Sequence, residues 1–291
     1  MQLIDRIRGG LYGVAVGDAL GGTTEFMSRS EIMKEHGNLT EIIGGGVWNL
    51  DAGEVTDDTM MTLCVAEGIL ANPLDPMQEI GGRFLQWYRT LPKDVGNIIR
   101  HTIREYDGNW YDAAIRTHSV LGHSAGNGSL MRCLPVALCY PKLQDVERVA
   151  RMQSKMTHYD ERCNEACEIY SRIVYRIMMG ETNLQDAIES EIKHTDYEHK
   201  VHAVPDCEPS GFVVHTFRWV LHILLTSASF AEVVQKAANL GGDSDTIGAI
   251  AGGVAGVYFG YLNIPELYSS KILIRDRLDE VCKGIGDLRG V

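Results

Sequence analysis

Residues 59–70 (TMMTLCVAEGIL) are apolar almost all round when read at helical spacing. A helix without a polar stripe has to be covered on every side, so the rest of the chain must supply further elements to wrap it. Helical spacing with charge on one side recurs at 145–156 and 161–179, and Gly180 stops the second of these. The segments 211–225, 230–240, 246–262 and 275–284 continue the pattern. Alternation of apolar and polar residues is absent, and the one candidate strand, 39–48, is broken by Gly44, Gly45 and Gly46. The expectation is an all-α protein: one compact orthogonal helical domain over residues 1–291, with long functional loops at about 22–57, 91–97, 118–132 and 195–210.

Composition narrows the partners. Hydrophobic residues are 45% and charged residues 23% of the 291, ordinary for a soluble globular chain. The net charge of −12 argues against nucleic acid and against anionic membrane, both of which prefer a basic face. A small anionic ligand stays open, because bound cations or a nest of amides override the net field locally. Asp5 and Arg8 interrupt any signal-peptide pattern at the N-terminus, and the most apolar stretch, 247–262, is too short to span a membrane. Seven cysteines form no CxxC pair; Cys163 and Cys167, four apart, read as two thiols on one helix. This usage points to a reducing cytoplasm.

Two acidic turns stand out: Thr56-Asp57-Asp58-Thr59, before the buried helix, and Gly241-Gly242-Asp243-Ser244-Asp245-Thr246, before another apolar one. Asp, Ser and Thr cap helix N-termini, and each turn admits that reading. A cap needs one side-chain oxygen, however, and each turn holds two carboxylates and at least two hydroxyls. Together they make an oxygen-only donor set of the kind that hard divalent cations take, without the His/Cys cluster of a zinc site. A third segment, Gly122-His123-Ser124-Ala125-Gly126-Asn127-Gly128-Ser129-Leu130-Met131-Arg132, has three glycines in its first seven residues. It is either a flexible connection or a loop whose amides cradle phosphate; it has neither the lysine of a P-loop nor the strand of a Rossmann turn.

Gly17-Asp18-Ala19-Leu20-Gly21 with Glu25, then the two acidic turns and the Gly126–Arg132 segment, in this order and spacing, resemble the ADP-ribosylglycohydrolase family. The motifs run from residue 17 to about 256. Lys93-Asp94-Val95-Gly96-Asn97 and Thr157-His158 add similarity to the bacterial branch that removes ADP-ribose from an arginine of dinitrogenase reductase. The resemblance implies an all-α fold with two Mg²⁺ or Mn²⁺ ions held by Thr56, Asp57, Asp58, Asp243, Asp245 and Thr246. It implies that Gly122, Ser124, Gly126, Asn127, Gly128 and Ser129 bind the pyrophosphate and ribose. Phe212 matches an aromatic that stacks on adenine, or else is a core aromatic of its helix; His158 matches a ligand-contacting histidine, or else is structural. Glu25 matches a loop glutamate that gates the site in some relatives.

The implied reaction is single-displacement hydrolysis of an N-glycosidic bond, with an ADP-ribosylated protein as substrate and ADP-ribose as product. Asp94 is the first candidate for the general base and Glu25 the second; Asp94 could equally cap a helix starting at Val95. Hydrolysis of another ADP-ribosyl bond (serine, nucleobase or O-acetyl-ADP-ribose) and catalytically silent binding of ADP-ribose are the alternatives.

Overall fold

The computed structural model describes all residues, Met1–Val291. Fifteen α-helices and one 3₁₀ turn make up the molecule, and the extended pairings are two isolated bridges, Gly45 with Leu50 and Gly126 with Phe212. The all-α expectation therefore holds. The seven helices read from periodicity are present as Asp57–Ala71, Leu143–Lys155, Glu161–Met178, Val213–Thr226, Phe230–Ala238, Ser244–Phe259 and Arg275–Arg289. No helix is long and apolar enough to cross a membrane. The Asp57–Ala71 helix buries eleven of its fifteen residues, as a helix without a polar stripe must.

The helix that organises the fold is one that periodicity did not reveal. Leu3–Gly21 contains Gly9, Gly10, Gly13, Gly17 and Gly21, and each interior glycine costs about 1 kcal/mol of helix propensity relative to alanine. Tertiary contact outweighs that local cost. Gly9, Gly13 and Gly17 lie on one face and meet Gly256, Gly252 and Gly248 of the antiparallel Ser244–Phe259 helix; a Cβ at any of them would run into the facing carbonyl. With no side chains between them the two backbones touch, and close backbone approach allows Cα–H···O contacts and dispersion along the whole seam. The register places the C-terminal end of the first helix against the N-terminal end of the second: Ser244 Oγ donates to the Gly21 carbonyl at 3.0 Å.

The expected loops are less continuous than the sequence suggested. Helix Arg29–Glu35 interrupts 22–57; it opens with a capping box, in which Glu31 N–H donates to Ser28 Oγ and Ser28 N–H to Glu31. That S-x-x-E pattern is a readable signal. Helix Trp110–Leu121 runs into the 118–132 segment and ends at Gly122, whose φ of 72° is the left-handed stop that glycine favours.

Candidate functional site

The seam brings the two acidic turns together. Asp18 lies fully buried in the Leu3–Gly21 helix and caps the neighbouring helix from outside. Thr56 N–H and Oγ1 each donate to Asp18 Oδ1 at 3.0 Å, and Thr59 N–H and Oγ1 donate to Oδ2. Thr56 makes no side-chain cap of its own, and neither does Asp243 at the start of the Ser244–Phe259 helix. Capping thus does not account for either turn's acids. Asp57, Asp58, Asp243 and Asp245 are freed to face one another.

They do so across 188 residues of sequence: Thr246 Oγ1 donates to Asp58 Oδ2 at 3.3 Å. Asp58 Oδ1 and Asp245 Oδ1 are buried without any hydrogen-bond partner. Burial, then neighbouring carboxylates, push both groups well above the usual carboxylate range. Asp57 accepts from Gly96 N–H at 3.0 Å, and Asn127 Nδ2 donates to Asp243. Both residues proposed as base join this cluster: Glu25, Asp94 and Asp245 each bring one carboxylate oxygen within 4.8 Å of the others. Burial with the nearby charges of Asp57 and Glu25 raises Asp94 to about 9, and burial raises Glu25 to about 7 although Trp48 Nε1 donates to it. The buried Arg132 guanidinium feels Asp57 through space, but its hydrogen bonds go to Gln153 and Thr157 and none to a carboxylate. An oxygen-only cluster with two orphaned carboxylate oxygens is chemically fitted to hard cations.

Asp94 is not a helix cap. The helix after it, Asn97–Glu105, has Gly96 at its N-cap without a side-chain bond, and Asp94 instead borders the cavity.

A cavity of about 480 Å³ opens from the acids, within the usual range for small-molecule sites. Glu25, Asp57, Asp94, Asp243 and Thr246 form its acidic end; Gly126, Asn127, Gly128, His158 and Phe212 also line it, and the bond from Asn127 to Asp243 joins the two sets. Three residues of the glycine segment point elsewhere: Gly122 ends a helix, while Ser124 Oγ pairs with His118 at 2.8 Å and Ser129 Oγ with Ser154 at 3.0 Å, both buried. Phe212 is half-buried at the start of its helix and lines the cavity together with Arg162, whose guanidinium carbon lies 5.1 Å from the ring centroid. His158 is buried behind Gly126 and Gly128, and burial lowers it to about 3.

Sequence reasoning missed Asp18 as a cap, Arg162 in the cavity wall and Trp48 on Glu25. Asp18 carried a signal only as a member of the Gly17-Asp18-Ala19-Leu20-Gly21 motif; Arg162 and Trp48 carried none.

Comparison with known proteins gives a consistent picture. The family model for ADP-ribosylglycohydrolase matches residues 1–290. The chain is 34% identical to the ADP-ribosyl-[dinitrogen reductase] glycohydrolase of Rhodospirillum rubrum, over 92% of this chain and 90% of that one. It is 26% identical to the ADP-ribosylarginine hydrolase Tri1 of Serratia proteamaculans, covering 97% and 79%, and 24% identical to the human ADP-ribosylhydrolase ARH3, covering 90% and 88%. A solved structure described as an ADP-ribosylglycohydrolase-related protein complex superposes with a TM-score of 0.86 at 29% identity, covering 99% of both chains.

Proposed function

The chain belongs to the ADP-ribosylglycohydrolase family, and from that premise we propose that it is a metal-dependent hydrolase removing ADP-ribose from an arginine of a target protein. Hydrolysis of an ADP-ribosyl bond is the family's chemistry; the arginine linkage, the cations and the roles below are our reading. The observation that carries it is the meeting of two acidic turns at one end of a cavity, with Asp58 Oδ1 and Asp245 Oδ1 unpartnered. Similarity to two proteins that act on ADP-ribosyl-dinitrogen reductase and ADP-ribosylarginine supports the linkage. A modified protein such as dinitrogenase reductase is the substrate class, and a cytoplasmic location accords with seven free thiols.

Thr56, Asp57, Asp58, Asp243, Asp245 and Thr246 would hold two Mg²⁺ or Mn²⁺ ions. When bound, the ions supply positive charge that offsets the carboxylates and polarises oxygen ligands. Asp94, which borders the cavity beside Asp57 and Glu25, would be ionised with the cations in place, since positive charge favours the charged form. Asp94 then takes the proton of a water attacking C1 of the ribose as the bond from C1 to the arginine nitrogen breaks. Asp94 returns that proton to the leaving guanidine nitrogen, and ADP-ribose departs with the new hydroxyl. The Gly126–Gly128 backbone and His158 hold the diphosphate and ribose, Phe212 stacks on adenine, and Glu25, tethered by Trp48, gates the acidic end.

Similarity to ADP-ribosylhydrolase ARH3 favours one second reading, hydrolysis of a different ADP-ribosyl bond. Purified protein assayed with ADP-ribosyl-arginine, ADP-ribosyl-serine and O-acetyl-ADP-ribose, with Mg²⁺ or Mn²⁺ and with EDTA, tests both. EDTA-sensitive turnover of the arginine substrate is expected. Preference for another substrate overturns the linkage, EDTA-resistant turnover overturns the cations, and binding without turnover overturns catalysis.

A further inference from the structure

We propose that Arg132 and Thr157 are a positioning pair that fixes His158 in the tautomer carrying its proton on Nε2, so that the ring offers the cavity a neutral N–H donor for a ligand phosphate oxygen. Arg132 is fully buried with no carboxylate partner. Its Nε donates to Gln153 Oε1 at 2.9 Å, and Nη2 donates to the Gln153 carbonyl at 2.9 Å and to Thr157 Oγ1 at 2.8 Å. The ring of Phe84 lies 4.6 Å from the guanidinium carbon. A guanidinium has donors only, so Thr157 Oγ1 accepts from it. The threonine's own hydrogen then has one acceptor within reach, His158 Nδ1 at 2.8 Å. Were Nδ1 protonated instead, that buried hydroxyl hydrogen would have nowhere to go, which proteins avoid. A bare Nδ1 on a neutral ring leaves the proton on Nε2.

The ring stays neutral because it is buried and because the Arg132 charge opposes a second one beside it. Nε2 makes no hydrogen bond within the protein. It faces the space next to Gly126 and Gly128, where a Cβ on either glycine would sit 3.4 Å away, and the residue borders the cavity. A donor fixed here suits a diphosphate oxygen; a histidine working as acid or base would need to titrate near neutral pH. The choice of ligand rests on the ADP-ribosyl reading above, whereas the tautomer does not.

The test uses the 291-residue chain with ¹⁵N-labelled histidine, the His158 signals being assigned with His158→Gln. Long-range ¹H–¹⁵N correlation of the ligand-free protein should show His158 protonated at Nε2 in wild type and in Thr157→Ser, which keeps the hydroxyl. Thr157→Val, nearly isosteric, should lose that single tautomer and bind ADP-ribose about 3- to 10-fold more weakly by calorimetry, the loss of roughly one hydrogen bond. Wild-type protonation at Nδ1, or Thr157→Val with both tautomer and affinity unchanged, overturns the proposal. If wild type does not bind ADP-ribose at all, the functional reading falls, and the ligand-free tautomer measurement still decides the positioning pair.

Discussion

The two ends of the cavity are built by opposite rules. At the acidic end, Glu25, Asp57, Asp58, Asp94, Asp243 and Asp245 crowd together, and two of their oxygens are orphaned. At the other end most polar groups are paired internally: Asn127 Nδ2 donates to Thr216 Oγ1 at 2.9 Å and to Asp243, and His158 Nδ1 is paired with Thr157, which leaves Nε2 of that ring unpaired. A site that binds charge has to leave its own charges uncompensated, at a cost to the empty fold. A site that binds by shape and hydrogen bonds can be finished before the ligand arrives.

Breaking the acidic end should have the largest effect on activity and the opposite effect on stability. Asp58→Asn and Asp245→Asn remove a charged ligand, and turnover should fall below detection. The same changes relieve repulsion, so Tm of the EDTA-treated variants at pH 8 should rise by a few °C, as ~1 kcal/mol would give in a chain of this size. Near-wild-type turnover by either variant at limiting Mn²⁺ would show that these carboxylates are not ligands.

Next in size is the base. Asp94→Asn should lower kcat by at least ~10² with little change in KM, whereas Glu25→Gln should alter both parameters more mildly, as a gate does. Single-turnover kinetics on ADP-ribosyl-arginine reverses the assignment if the severe loss falls on Glu25→Gln.

At the shape-selective end, Gly126→Val would bring a Cβ to 2.8 Å from Ile98 Cδ1 and 3.4 Å from His158 Nε2. ADP-ribose affinity should drop roughly tenfold, worth about 1.4 kcal/mol, while Mn²⁺ binding is retained. Unchanged affinity in calorimetry removes the loop from the ligand site.

The smallest expected effect is on pH dependence without metal. Asp18 at about 6, Glu25 at about 7 and Asp94 at about 9 stand above their unfolded values of about 3.9 to 4.3. The folded chain therefore binds more protons than the unfolded one, and stability declines as pH rises through about 4 to 9. In EDTA, Tm should fall by several °C from pH 5 to pH 8, and saturating Mn²⁺ should flatten the slope. A metal-free Tm that rises over this range contradicts the crowded-acid picture.

Amphipathic helices such as Glu161–Met178 were legible because burial on one side leaves a 3.6-residue period in the sequence. So was the family, through short motifs in order. The Leu3–Gly21 helix was not, because glycine spacing at 9, 13 and 17 has no local meaning until Gly248, Gly252 and Gly256 lie opposite. The same holds inside the 122–129 segment: its glycines mark a loop, but only packing tells that Gly126 and Gly128 border the cavity while Ser124 and Ser129 turn inward.

Residue types determined by the sequence alone set the chemistry on offer: oxygen donors in two turns, glycines where backbone must come close, and charge periodicity that demands helices. Which carboxylates meet was decided by tertiary structure. Asp58 and Thr246 are 188 residues apart, and what joins them is a glycine seam that sets helix register to within one turn and delivers Asp18 to cap the neighbouring helix. Local sequence encodes what a side chain can do; the low dielectric and the crowding that make Asp58 and Asp245 unusual exist only once distant segments exclude water together.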